Sequence, residues 1–114
     1  MSVKSAIWVQ AHLRRCNALG LAAVLIRRGA EEAGSIYVKI NRLDGRVLLI
    51  GPAPGPAHDD RGERRWVRVI GDGAVTETEA DAYLRRIRAI DPDIWIIEIE
   101  DPGGTGLLEF AGGA

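Results

Sequence analysis

The chain has 114 residues, 46% hydrophobic and 27% charged, with a net charge of -1. This is the size of one domain with enough apolar content for a core, and it excludes a chain disordered throughout. The near-zero charge removes the general attraction that draws proteins to nucleic acid or anionic membranes, leaving room only for a local basic patch.

Residues 5–19, SAIWVQAHLRRCNAL, carry Ala6, Val9, Leu13, Cys16 and Leu19 at steps of three or four, the spacing of an amphipathic helix. Ser5 is the expected N-cap and Gly20 the stop. The period then changes to two. AAVLIRR (22–28) reads as a strand, and residues 29–34 as its turn. SIYVKIN (35–41) alternates, with Ile36, Val38 and Ile40 on one face and Tyr37 and Lys39 on the other. Asp44-Gly45 signals a hairpin into RVLLIG (46–51), and RRWVRVI (64–70) follows a long loop. Three consecutive hairpin links predict an antiparallel meander.

GDGAV (71–75) breaks the strand pattern, and TETE (76–79) is a capping box opening a helix that Pro92 closes. DIWIIEIE (93–100) is the next strand. LLEF (107–110) is a candidate short last strand, within a segment 103–114 read as frayed tail or final strand. The expected architecture is one domain over 1–114. It is α+β, a mostly antiparallel sheet of five or six strands with two helices on one face, in the order α-β-β-β-β-α-β(-β).

The loop GPAPGPAHDDRGERRW (51–66) resembles a phosphate cradle only in its glycines. It has no lysine, and Pro52, Pro54 and Pro56 each remove a backbone donor. Asp59 and Asp60 would repel an anion, and a strand rather than a helix follows. It reads as a semi-rigid connection. His12 and Cys16 share a helix face, but a zinc site needs three or four ligands and the other histidine, His58, lies in this loop. A core cysteine beside a half-exposed histidine is expected. Glu98, Glu100 and Asp101, with Asp91 and Asp93 flanking Pro92, invite a metal reading, but read better as a solvated strand end. Serine occurs only at 2, 5 and 35, which weighs against nucleophilic catalysis. The 13 arginines among 15 basic residues are scattered and balanced by acids, so they read as compositional bias. No stretch approaches about 18 unbroken apolar residues and no signal peptide is visible, so a cytoplasmic setting without membrane association is expected. No catalytic residue, metal ligand or cofactor is assigned.

One feature points to a partner. If Ile36, Val38, Ile40, Trp95, Ile97 and Ile99 face the helices, then Tyr37, Ile94 and Ile96 face outward. Either Trp66 with Ile70 or Val67 with Val69 joins them. AAVLI and VLLI are apolar on both faces. Such a surface is too apolar for bare water. The expectation is a non-enzymatic interaction protein, a homodimer or the binder of a protein partner. Tyr37, Trp66 and Ile96 would be its anchors, with Arg68, Arg27 and Lys39 around them. Single-stranded nucleic acid stacking on Tyr37 and Trp66, with Arg27, Arg64, Arg65 and Arg68, is the less favoured alternative. A metal-assisted hydrolase on Glu98, Glu100 and Asp91 is the third.

The segments SAIWVQAHLRRCNALG, VLIRRG, VKINRLDGRVLLIGPAP, ERRW and DPDIWIIEIED, in this order across residues 5–102, resemble a small alphaproteobacterial family of proteins of about this length, a domain of unknown function. The resemblance implies a bacterial cytoplasmic origin and carries over no catalytic residue.

Overall fold

The computed structural model describes residues 3–111. Helix α1 (Ser5–Ala18) is followed by strands β1 (Ala23–Arg27), β2 (Ile36–Asn41), β3 (Arg46–Pro52), β4 (Trp66–Arg68) and β5 (Val75–Thr76). Helix α2 (Glu77–Ile90), β6 (Trp95–Glu100) and β7 (Phe110–Ala111) complete the chain.

The helix starts show two ways of satisfying first-turn amides. Thr76 caps α2 through the expected box: its hydroxyl accepts from the Glu79 amide, and the Glu79 carboxylate accepts from the Thr76 amide, both at 3.2 Å. Ser5 does not cap α1. The amides of Ser5 and Ala6 donate to the carbonyls of Glu32 and Glu31, at 3.0 and 2.9 Å. A loop from elsewhere in the chain thus supplies the acceptors, and the Ser5 hydroxyl donates to the Gly34 carbonyl at 2.6 Å.

The sheet runs β1-β6-β2-β3-β4-β7, with β5 also paired to β3. It is mixed and mostly antiparallel: β6 lies parallel to β2, and β7 parallel to β4. The expected meander holds from β2 to β4. It fails between β1 and β2, because β6 inserts between them. WIIEIE is the reason. Trp95, Ile97 and Ile99 are buried on one side and Ile96 on the other, so this strand is stable only in the interior of the sheet. The glycine-rich turn between β1 and β2 wraps the entry to β6. A Cβ at Gly29 or Gly34 would strike the carbonyl oxygen of Asp93, which accepts from the Ala30 amide at 2.9 Å.

The facial split read from the sequence is present, but its cover is not as expected. Ile36, Val38, Ile40, Trp95, Ile97 and Ile99 form one cluster with Ala6, Val9 and Cys16 of α1. Val47, Leu49, Ile94 and Ile96 form a second cluster with Ala80 and Leu84 of α2, joined by Tyr37 and Val69. The helices therefore lie on opposite faces, not on one face. The β3 strand shows why: Leu48 and Ile50 point one way, Val47 and Leu49 the other, all almost fully buried. Two apolar faces need two covers. The last strand begins at Phe110 rather than Leu107, and residues 112–114 of the expected tail lie outside the described residues.

Candidate functional site

Helix α2 sits over β3 and β5, away from the β1 edge. The α2 face of the sheet is therefore open toward β1. There Val24 and Ile26 are 54% and 55% exposed on the outermost strand, while Leu25 between them, 42% exposed and opposite Ile97, points to the α1 face. Ile26 also borders a groove of about 380 Å³ between β1 and α2, with Leu84 and Ile96 as its other apolar walls. Arg85 and Arg88 line the helix side.

At one end of the groove lies Lys39, its side chain only 8% exposed. Its ammonium donates to Glu77 at 2.9 Å and Asp81 at 3.1 Å, both on α2, and lies 3.4 Å from Glu98 of β6. Burial alone would lower its pKa. The bonds to Glu77 and Asp81 and the field of Glu98 outweigh burial and hold it above its ordinary range. Lys39 is thus a fixed cation that fastens α2 to the sheet, not a nucleophile.

The other residues singled out in the sequence are dispersed. Ile96 is on the wall of the groove. Arg27 lies at the end of β1, where its guanidinium donates to the Ile94 carbonyl at 2.6 Å. Tyr37 is half-buried and packs against the α2 cluster, its ring lying where a Gly51 side chain would be. Trp66 is buried in the α1 cluster, 5.0 Å from Trp8. Arg68 is half-buried on β4, in register with Ile50. Tyr37 and Trp66 therefore occupy opposite faces and form no common stacking surface. Val24, Leu25 and Ile26 were visible in the sequence as an apolar run, but not as exposed. Their exposure follows from β1 being an edge.

The loop 51–66 is an ordered excursion. The Asp59 carboxylate accepts from the amides of Arg61 and Glu63, His58 bridges to Arg64, and the Arg65 guanidinium donates to the carbonyls of Pro54 and Pro56. It opens beside a shallow cavity of about 690 Å³. Arg61, Arg64 and Arg65 share that cavity with Asp59, Glu63 and Glu109, so its charges balance.

Several other chemistry-bearing side chains are committed to structure. His12 stacks on Trp8 with ring centroids 4.5 Å apart, and its Nε2 hydrogen-bonds the Gly106 carbonyl at 2.9 Å. Burial lowers its pKa more than that bond raises it, and Arg15 lowers it further. The ring is therefore neutral near pH 7 and donates from Nε2 to that carbonyl. Burial pushes the Cys16 thiol up, away from the reactive thiolate. Burial would raise Asp101, but bonds from the Gly106, Gly103 and Thr105 amides and the Thr105 hydroxyl hold it below the usual carboxylate range. Asp91 accepts from the Asp93 amide at 3.0 Å, and Glu98 is drawn to Lys39. Among the described residues no group of three or more His, Cys, Asp or Glu side chains is placed to hold a metal ion. No helix among them is long and apolar enough to cross a membrane.

Fold and surface define a small α+β protein with one helix on each face of a mixed sheet and one apolar sheet edge left open. The chain belongs to the family described as protein of unknown function DUF1491, whose model matches residues 3–109. A crystal structure of a family member from Caulobacter crescentus is similar with a TM-score of 0.77 and 36% identity, over 93% of this chain and 94% of that one. The solution structure of protein Atu0922 from A. tumefaciens has a TM-score of 0.75 and 41% identity, over 88% and 86%. Both organisms are alphaproteobacteria, in accord with the resemblance seen in the sequence. No curated protein matches.

Proposed function

We propose that this chain is a cytoplasmic interaction protein rather than an enzyme, and that it self-associates through the β1 side of its sheet. The observation that carries this reading is the exposure of Val24, Leu25 and Ile26 in sequence on an edge strand. Scattered exposed aliphatics are ordinary, but Val24 and Ile26 beside an apolar groove, with Leu25 at the same edge on the other face, form an apolar rim whose burial would stabilise a contact. Each fully buried aliphatic side chain contributes about 1.5–3 kcal/mol.

The partner that fits is a second copy. With two copies related by a two-fold axis and their β1 segments antiparallel, Val24 of one copy meets Ile26 of the other through their side chains. The basic end of each β1, Arg27 and Arg28, then lies toward the Ala22 end of the other. Glu100, whose amide donates to the Ala22 carbonyl at 2.8 Å, contributes a negative charge to that end of the edge. A net charge of -1 leaves little overall repulsion between copies. The interaction role is further supported by the commitments of Lys39, His12, Cys16 and Asp101 to internal partners. A buried free cysteine fits a reducing compartment.

Sedimentation velocity from low to high micromolar concentration tests the reading. A monomer–dimer equilibrium that Ile26→Asp abolishes is expected. A wild-type chain that stays monomeric across the whole range overturns it.

A further inference from the structure

We infer that Asn17 closes the backbone edge of β1, so that copies meeting there engage through side chains in a closed dimer rather than by adding strand to strand. The choice of partner rests on the self-association reading; the closure of the edge does not.

In the β1–β6 ladder the Glu100 amide donates to the Ala22 carbonyl, which makes Ala22 and Glu100 a hydrogen-bonded pair. Antiparallel ladders alternate, so Val24, opposite Glu98, also turns its backbone groups inward. Ala23, opposite Ile99, turns its amide and carbonyl outward, toward the position a neighbouring strand would occupy. Asn17 occupies that position. Its Nδ2 donates to the Ala23 carbonyl at 3.0 Å, and its Oδ1 accepts from the Ala23 amide at 3.2 Å. This is the pair of bonds a residue of an added strand would make. The second Nδ2 hydrogen goes to the Leu13 carbonyl at 2.9 Å, one turn back in α1, which fixes the amide's orientation. The tight reversal through Gly20, at φ +86°, turns the chain back so that the last turn of α1 lies beside the start of β1.

Leu25 is the next residue facing outward. Beyond it the register slips: Leu25 pairs with Ile97 but Arg27 with Ile96, so Ile26 is an extra residue in a bulge. A bulge bends and twists the strand and blunts its edge. An added strand would find one free outward pair, at Leu25, between a capped Ala23 and a bulge. One such pair does not hold a strand. The side chains of Val24, Leu25 and Ile26 are left exposed while the backbone beneath them is closed. That combination permits a side-chain interface and blocks strand-to-strand pairing at β1.

The test reads amide exchange and assembly size separately on the full chain. In the wild type at low concentration, the Ala23 amide should be protected and the Leu25 amide should exchange fast. Asn17→Ala removes the acceptor of the Ala23 amide and should speed Ala23 exchange about fivefold, the equivalent of a hydrogen bond of about 1 kcal/mol. It should also tighten self-association at least about tenfold, because Ala23 and Leu25 can then pair strand to strand in a two-fold dimer. Asn17→Asp turns the donor contacts to the Leu13 and Ala23 carbonyls into oxygen–oxygen repulsions, so it should also speed Ala23 exchange, while its charge at the edge leaves self-association no tighter than in the wild type. Fast Ala23 exchange in the wild type, or an Asn17→Ala chain with wild-type exchange and sedimentation, overturns the inference. A wild type that is monomeric throughout removes the dimer, but the Ala23 amide and the association of Asn17→Ala still decide whether Asn17 closes the edge.

Discussion

At one edge of the sheet, β1 carries three exposed aliphatics, and its outward backbone is met by the side chain of one asparagine. At the other, β4 has three residues and β7 two, beside a loop with prolines at 52, 54 and 56. Short strands and proline blunt an edge by leaving little backbone to pair. A side-chain amide blunts it only locally, and leaves the apolar surface in place. The difference teaches that an edge can be closed to strand addition and still be open to packing. The two edges also differ in what holds them. The β7 side depends on an ionised carboxylate and a neutral imidazole, Asp101 and His12, whereas the β1 side depends on an amide that does not titrate.

The most damaging change expected is on the β7 side. Asp101→Ala removes the acceptor of four hydrogen bonds that shape the turn leading into β7. Stranding buried donors should cost about 3 kcal/mol. In a domain of this size that lowers the melting temperature by about 15 °C, read by circular dichroism. Next comes Lys39→Met, which leaves Glu98 partly buried without its cation. Because Glu77 and Asp81 are half-exposed, the loss should be about 2 kcal/mol, below the 3–5 kcal/mol or so of a fully buried pair, and chemical denaturation measures it. A much smaller loss would show that α2 is held by apolar packing alone. Ile26→Asp alters an exposed residue, so it should change the fold's stability by no more than about 0.5 kcal/mol. It should nonetheless weaken self-association at least about tenfold by burying a charge at the contact. An Ile26→Asp chain that dimerises like wild type would place the contact elsewhere.

The subtlest effect is with pH. His12 has a lowered pKa in the fold, so below the ordinary value of 6.5 the unfolded chain takes up a proton that the folded chain resists, and stability falls. Asp101 is also lowered from 3.8, so its contribution is complete above that value and lost as pH falls through it. Both act in the same direction. Amides of the 103–108 turn should lose exchange protection between pH 7 and 5 before the Ala23 amide does. Equal loss at both places would erase the contrast between the edges.

Much of this architecture was legible in the sequence. The period-three-and-four stripe of α1, the capping box of α2, the Asp44-Gly45 hairpin and the alternation in 35–41 are local signals, each fixed by a few neighbouring residues. The division of Ile36, Val38, Ile40, Trp95, Ile97 and Ile99 from Tyr37, Ile94 and Ile96 followed from the pleat alone. What the local pattern did not contain was the insertion of β6 between β1 and β2, which depends on contacts between segments about 60 residues apart. Nor did it contain the division of α1 and α2 between the two faces, although two-sided apolar strands such as VLLI were the clue. The open surface moved accordingly, from a whole sheet face to the single strand that α2 does not reach. Asn17 carried no local signal, because an asparagine in the last turn of a helix looks solvent-facing until a strand is brought beside it.

Sequence by itself determined which segments are helix or strand and which side chains share a face, since those depend on backbone periods of 3.6 and 2. Tertiary structure decided which strand ended at the edge, which face each helix covered and what met the exposed backbone of Ala23. Those outcomes are set by competition among distant apolar surfaces for the same neighbours, and no local period records who wins.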